Sequence, residues 1–443
     1  MAEGRSAWHA ELAFLGEVQD RVLIEVEGER IAAVTSGVEA PEGAVKLRGL
    51  VLPGLANGHS HVFQRALRGR VEKTVGSDFC SWREEMFRLA GGLDPEAFYE
   101  LALGGYGEMA LAGITAVGEF HYLHHAPGGT AYPDPNLMSR RLLEAARRAG
   151  IRITLLDTCY LRGGFDGRPL EGAQLRFGDG SAEAWVERVA ALGEGPSMRL
   201  GAAIHSVRAL DERSIGVVGV WAQDHAAPLH VHLSEQPAEN DDCLKATGLT
   251  PARLLERAGA LGEHVTAVHA THAAFDDIRL LGSTGTSVCL CPTTERALAD
   301  GIGPARLLAA AGSPLCLGSD SHAVIDLFEE ARAVELDERL ASGRRGHHQP
   351  AALLEAVTIN GMRALGWEAG RLEPGMLADF IAVDMGSMRT AGALPEQVIC
   401  AATAADVTDV VVGGKQVVKE RRHLELGDVG ALLRRAITSA QSH

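Results

Sequence analysis

The sequence predicts an α/β protein: a (β/α)8 barrel of the TIM type, with a small β-sandwich formed by the N- and C-terminal segments. Three observations predict it. Eight short apolar runs recur between residues 49 and 320, amphipathic stretches with helical spacing separate them, and strand-and-turn sequence flanks the series at both ends. Strands that are apolar on both faces and separated by helices form parallel sheets, and eight such units suit closure into a barrel.

Taken in order, residues 8–50 alternate strand-like runs (AELAFL, RVLIEVEG, RIAAVTS) with Gly and Glu turns. The barrel runs follow: GLVLPG at 49–54, ITAVGEF at 114–120, RITLLDT at 152–158, LGAAIHS at 200–206, PLHVHLS at 228–234, VTAVHAT at 265–271, TSVCLCP at 286–292 and PLCLGSD at 314–320. Helix candidates between them (MSRRLLEAARRAG, SAEAWVERVAALG, PARLLERAGALG) repeat apolar residues at i, i+3 and i+4 and end in Gly. After residue 370, GRLEPGMLADFIAVD and VTDVVVGGKQVVKERR return to strands, with Gly413-Gly414 as a hairpin signal. Two short β segments are each marginal alone, so residues 1–52 and 371–443 are expected to pair into one composite sandwich around a barrel of 53–370.

Composition narrows the function. The net charge of −16 disfavours nucleic acid or an anionic membrane surface as partner. No apolar run approaches the roughly 20 residues of a membrane span. The opening segment lacks a basic stretch followed by an apolar one. Seven cysteines without a CxxC spacing read as reduced thiols, with Cys289 and Cys291 packing in the barrel. A cytoplasmic address follows as the expectation.

Chemistry in such barrels gathers at the C-terminal strand ends. That rule selects His59 and His61 after run one, His205 on run four, His230 and His232 on run five, His269 on run six and Asp320 on run eight. Residues i and i+2 of an extended chain share a face, so both imidazoles of His59-Ser60-His61 reach one ion. His232 lies nearer its strand end than His230, which reads as a hydrogen-bonded core histidine one layer deeper. His59, His61, His232 and Asp320 are therefore the expected ligands. Imidazole-rich sets suit Zn2+ but also Fe, Ni or Mn, and Asp320 could double as a base for water. Run four offers no lysine for a bridging carbamate, so one metal ion per chain is expected. In HYLHH, His121, His124 and His125 read as a loop with solvated or substrate-side histidines.

The motifs HSH, H-x-x-E after run five, the histidine ending run six and GSDSH resemble the amidohydrolase superfamily. More narrowly, GHSHVFQRALRG, SDFCSWREEMFRL, GEFHYLHH, IHSVRAL and HLSEQPAENDDC look like the formimidoylglutamate deiminases of histidine degradation, over essentially the full chain. The resemblance implies hydrolysis of N-formimidoyl-L-glutamate to N-formyl-L-glutamate and ammonia. Such a small-molecule substrate, a dicarboxylate with a cationic amidine head, needs planar arginines for its carboxylates. The matching positions are Arg83 and Arg208, with Gln64, Tyr122 and His205 as hydrogen-bonding partners. Arg65 points away from Gln64 in an extended chain and is left out.

For catalysis Asp320 is expected to accept the water proton, Glu235 to shuttle it to nitrogen, and His269 to stabilise the developing tetrahedral centre or polarise the bound water. The division between Glu235 and His269 stays open at this stage, as does any role for Glu119. Two other functions compete: an amidohydrolase-type deaminase of a purine, pterin or triazine ring, and a non-catalytic barrel acting in binding or assembly. The low aromatic content of 5% weighs against the first, and retention of all four ligand candidates against the second. A homodimer is the expected assembly.

Overall fold

The computed structural model describes residues 4–71 and 79–441. A ring of eight parallel strands forms its centre: β1 (Leu55–Ser60), β2 (Ile114–His121), β3 (Arg152–Cys159), β4 (Met198–Ser206), β5 (Leu229–Leu233), β6 (Val265–His269), β7 (Ser287–Leu290) and β8 (Leu315–Leu317). Each strand pairs with the next in sequence order. The ring closes through a parallel bridge between Ser60 and Asp320, where the Ser319 and Asp320 amides both donate to the His59 carbonyl at 3.0 Å. Gly318 permits this approach, because a Cβ there would lie 2.7 Å from the Cβ of His59.

Seven predicted runs coincide with β2–β8. The first does not. Residues 49–54 fall mostly in the strand Val45–Pro53 of the terminal sheet, and the barrel starts only at Leu55. Gly54 marks the break, wedged so tightly that a Cβ would lie 2.2 Å from Thr115 Oγ1. One nearly continuous apolar stretch thus serves two sheets, which periodicity by itself does not divide.

The helices between strands carry their stop signals in the sequence. Asp94, Ser181, Asp211 and Thr250 cap N-termini through their side chains, and Gly150, at φ 73°, ends Leu137–Ala149. The helix Ala182–Val189 stops before the predicted Gly193.

The terminal segments pair as expected, in a single eight-stranded sheet. From edge to edge it runs Arg422–His423, Lys415–Lys419, Val407–Val412, Phe380–Val383, Val45–Pro53, Arg5–Phe14, Val18–Glu27 and Arg30–Thr35. Gly413 and Gly414, at φ 56° and 71°, make the predicted hairpin turn. The sheet encloses its own apolar cluster, in which Trp8 and Phe380 meet edge-to-face at 5.5 Å. Buried Arg152, at the start of β3, joins the sheet to the barrel: its Nε donates to Asp379 at 2.8 Å and its Nη1 to Glu29 at 3.2 Å and to the Pro196 carbonyl at 2.9 Å. The segment after 424 is not β. The helix Val429–Ala440 packs along Pro95–Leu111 on the barrel wall, burying Val429, Leu433 and Ala436.

Candidate active site

At the C-terminal rim of the barrel, β1, β5 and β8 bring four donor groups together. His59 Nε2 lies 3.1 Å from His232 Nε2 and 3.2 Å from Asp320 Oδ1, and His61 Nε2 lies 3.3 Å and 3.4 Å from the same two atoms. All four residues are buried. The donor set fits a divalent cation for a specific reason. His61 Nδ1 donates to the Phe120 carbonyl at 2.9 Å and His232 Nδ1 donates to the His205 carbonyl at 2.8 Å. These bonds fix the tautomers, so two Nε2 lone pairs face each other across 3.3 Å. Two acceptors at that distance repel unless a positive charge lies between them. Burial also keeps the imidazoles in the neutral, ligating form, pushing His61 down to about 3 and His232 well below its ordinary value.

Backbone strain concentrates here. Ser234, His269, Ala270, Asp320 and His322 all adopt φ between 42° and 71°, a left-handed conformation that costs non-glycine residues on the order of 1 kcal/mol or more each. These residues lie at or follow the ends of barrel strands, and two of them, His269 and Asp320, line the cavity at the mouth.

His269 sits among carboxylates. Its Nδ1 is 3.3 Å from Glu295 Oε1, and its Nε2 is 3.8 Å from both Glu235 Oε1 and Asp320 Oδ2. Burial lowers its pKa, but Glu235, Glu295 and Asp320 more than offset this, and the ring is pushed up to about 10. Burial raises the Glu235 carboxyl, opposed by His269 and Arg208 and reinforced by Asp320. For Asp320 burial acts upward too, but His59, His269 and His61 hold the group well below the ordinary carboxylate range.

A cavity of about 620 Å3 opens above these groups. Gln64, Arg83, Tyr122, His205, Arg208, Glu235, His269 and Asp320 all line it, together with His61 and His232; His59 lies buried behind them. Gln64 Nε2 donates to the Tyr122 hydroxyl at 3.1 Å, and Arg208 Nη1 to the Tyr160 hydroxyl at 3.4 Å. Of the SDFCSWREEMFRL motif, Ser77 and Asp78 lie outside the described residues, while Arg83 is on the helix Phe79–Gly92. Arg65 is turned away, with its Nε on Glu108 at 2.6 Å.

Several expectations are corrected or completed. HYLHH is no solvated loop. His121, His124 and His125 are buried, His124 Nε2 donates to the Thr158 carbonyl at 2.9 Å, and His125 Nε2 lies 2.9 Å from Asp179 Oδ1. His230 is the deeper core histidine, its Nε2 donating to the Ala364 carbonyl at 3.0 Å. Cys289 and Cys291 pack with Cys316 inside the barrel. Glu119 acquires partners: it accepts from Ser60 Oγ at 2.7 Å and from the Val62 amide at 2.8 Å, gripping the turn that bears both β1 histidines. Glu295 was missed; its Oε1 accepts from the Cys291 amide at 2.9 Å and so holds the carboxylate against His269. The low aromatic content also misleads, because Trp82, Phe87, Tyr122, Tyr160, Phe165 and Phe177 converge on this one cavity.

A strand-end metal donor set at the mouth of such a barrel defines a class, and the comparisons agree. Residues 50–417 match the family model described as Amidohydrolase family. The chain belongs to that family, and it is a hydrolase acting on a carbon–nitrogen bond. Among particular proteins, it is 38% identical over 435 residues to the formimidoylglutamate deiminase of Pseudomonas aeruginosa, covering 94% of this chain and 96% of that one. It is 30% identical over 375 residues to the 8-oxoguanine deaminase of the same organism, covering 83% and 82%. The crystal structure of an amidohydrolase from Brucella melitensis superposes with a TM-score of 0.89 at 31% identity, over 98% of this chain and 100% of that one.

Proposed function

We propose that this chain hydrolyses N-formimidoyl-L-glutamate to N-formyl-L-glutamate and ammonia, a step of histidine degradation, with one Zn2+ per chain held by His59, His61, His232 and Asp320. The observation that carries the reading is that guanidinium groups, Arg83 and Arg208 among them, line the same cavity as the metal donor set. A substrate with two carboxylates and an amidine head needs both. The overall similarity to a formimidoylglutamate deiminase supports the same assignment.

A divalent cation at this place supplies Lewis acidity, which ionises water near neutral pH. The protein's own groups do the rest. Arg83 and Arg208 pair with the substrate carboxylates, and Gln64, Tyr122 and His205 add hydrogen bonds that fix its orientation. Asp320 takes a proton from the attacking water at its carboxylate. Water oxygen bonds to the formimidoyl carbon as the C=N π pair moves onto the terminal nitrogen; that C–N bond then breaks as the nitrogen is protonated, and the hydroxyl gives up its remaining proton to leave the formyl carbonyl. Glu235, whose carboxyl is biased toward the protonated form by burial, delivers that proton, and the nitrogen leaves as ammonia. His269, whose carboxylate neighbours favour its cationic form, donates a hydrogen bond to the attacking oxygen, where negative charge gathers as the water proton leaves. The division of labour therefore gives Glu235 the proton and His269 the charge. The enzyme acts in the cytoplasm on a free small molecule, as a homodimer.

A second reading is favoured by two observations, the aromatic rings around the cavity and the similarity to an 8-oxoguanine deaminase. Stacking would hold a purine there, although a purine itself presents no carboxylate to the cavity. Ammonia release by the zinc-loaded protein separates the two, using N-formimidoyl derivatives of glutamate, aspartate and glycine beside guanine and 8-oxoguanine. Preference for the glutamate derivative is expected, with turnover falling by about 10^2 or more in Asp320→Asn and Glu235→Gln. Faster release from a purine, or near-normal turnover in both variants, overturns the assignment.

A further inference from the structure

Arg176 has no part in the chemistry above and does not line the cavity. Its side chain is nonetheless fully buried. Among the described residues no carboxylate lies within ion-pairing distance of it; instead it donates to three main-chain carbonyls on two separate segments. Nε donates to the His125 carbonyl at 2.8 Å, Nη2 to the Leu93 carbonyl at 2.7 Å, and Nη1 to the Ala90 carbonyl. In return, the Arg176 carbonyl accepts from the His124 and His125 amides, both at 3.0 Å.

The two segments are not arbitrary. Ala90 and Leu93 lie at the C-terminal end of the helix Phe79–Gly92, where carbonyls lack intrahelical partners and the helix dipole favours a cation. That helix carries Trp82, Arg83, Met86 and Phe87 to the cavity. His125 follows the end of β2 and Tyr122, another cavity residue. The next side chain, Phe177, fills the space between them, with its ring 4.9 Å from Tyr122 and 6.1 Å from Phe87. A guanidinium bound in this way fixes the helix against the barrel at a set height.

We propose that Arg176 is a positioning residue for substrate selectivity: by clamping the end of the Phe79–Gly92 helix to the β2 end, it sets where the Arg83 guanidinium stands over the cavity. The inference rests on the proposed function, in which Arg83 takes a substrate carboxylate. Lysine keeps the charge but presents a single nitrogen, which cannot span carbonyls on both segments in the geometry of a planar fork. Arg176→Lys therefore lets the helix settle elsewhere while leaving the metal donors, which lie on or directly after barrel strands, in place.

The test compares wild type, Arg176→Lys, Arg83→Ala and the double variant, all zinc-loaded, on N-formimidoyl-glutamate and N-formimidoyl-glycine, with metal content and thermal melting measured alongside. Arg176→Lys is expected to raise KM for the glutamate derivative about tenfold while leaving activity on the glycine derivative within about threefold. In the Arg83→Ala background the same substitution is expected to change the preference no further, which a general packing defect would not reproduce. Arg176→Gln serves as a second probe of the clamp should the lysine variant melt early. Unchanged selectivity in a folded Arg176 variant, or a loss that persists without Arg83, overturns the inference. A wild-type chain inactive on N-formimidoyl-glutamate would sink the functional reading instead, so the two failures are distinct.

Discussion

Between His59 and His61 stands Ser60, whose single hydroxyl donates to Glu119 and lies 2.8 Å from His322 Nε2. With its proton committed to Glu119, Ser60 accepts from the His322 N–H. Burial pushes the Glu119 carboxyl up to about 8, opposed by the Val62 amide and the Ser60 hydroxyl, so the protonated form is favoured at neutral pH. Groups that orient metal ligands are typically worth ten- to hundredfold in metal affinity. Glu119→Ala is expected to lose about that much, measured as zinc retained during dialysis against a graded chelator, while Glu119→Gln, which resembles the protonated acid, loses less. Wild-type retention in the alanine variant removes this role from Glu119. The sequence showed Glu119 at a strand end but gave it no partner, because its contacts lie 57 and 59 residues away along the chain.

The histidine-rich run after β2 shows how an element escapes a reading by spacing. His121, His124 and His125 look like ligands or solvated groups on a line of sequence. In the fold they face Asp157 of β3, Asp179 in the loop that follows, and Arg188 on the helix Ala182–Val189. Arg188 bonds Asp157 at 2.7 Å and Asp179 at 2.8 Å, and Trp185 Nε1 donates to Asp157 at 2.9 Å. Burial alone would push both carboxyls up. At Asp157 Arg188, and at Asp179 His125 with Arg188, more than offset it, and both are held below the ordinary 3.8. The sign follows: carboxyls depressed on folding add stability that is fully present above the ordinary carboxyl pKa and lost as pH falls below about 3.8 toward the lowered native values. Asp179→Asn is expected to cost about 3 kcal/mol or more at pH 7, a difference that shrinks below pH 4, as urea unfolding across that range would reveal. An equal loss at both pH values contradicts the network's role.

At the scale of the molecule, Arg152 carries the join between barrel and terminal sheet. It is buried, shared by Asp379 and Glu29, and stacked 5.3 Å from the Trp367 ring. Arg152→Met strands the buried Asp379 and is expected to lower stability by about 3–5 kcal/mol, read as a lower melting temperature with metal content and kcat unchanged well below it. Loss of bound zinc in the folded variant would show instead that the sheet supports the metal centre directly.

What the chain determined by itself is the periodicity: β2–β8, the helices between them, the hairpin at Gly413-Gly414 and the strand-end placement of His59, His61, His232, His269 and Asp320. Alternation, capping and turn chemistry are local, so a line of residues records them. Only the tertiary structure decided that the first apolar stretch divides at Gly54, that the last segment is a helix on the barrel wall, and that scarce aromatic residues gather around one cavity. It also decided that Glu119, Glu295 and Arg176 support the site from behind. Those features depend on which distant groups share a small buried volume, where an unpaired charge or donor is costly, and sequence spacing carries no measure of that distance.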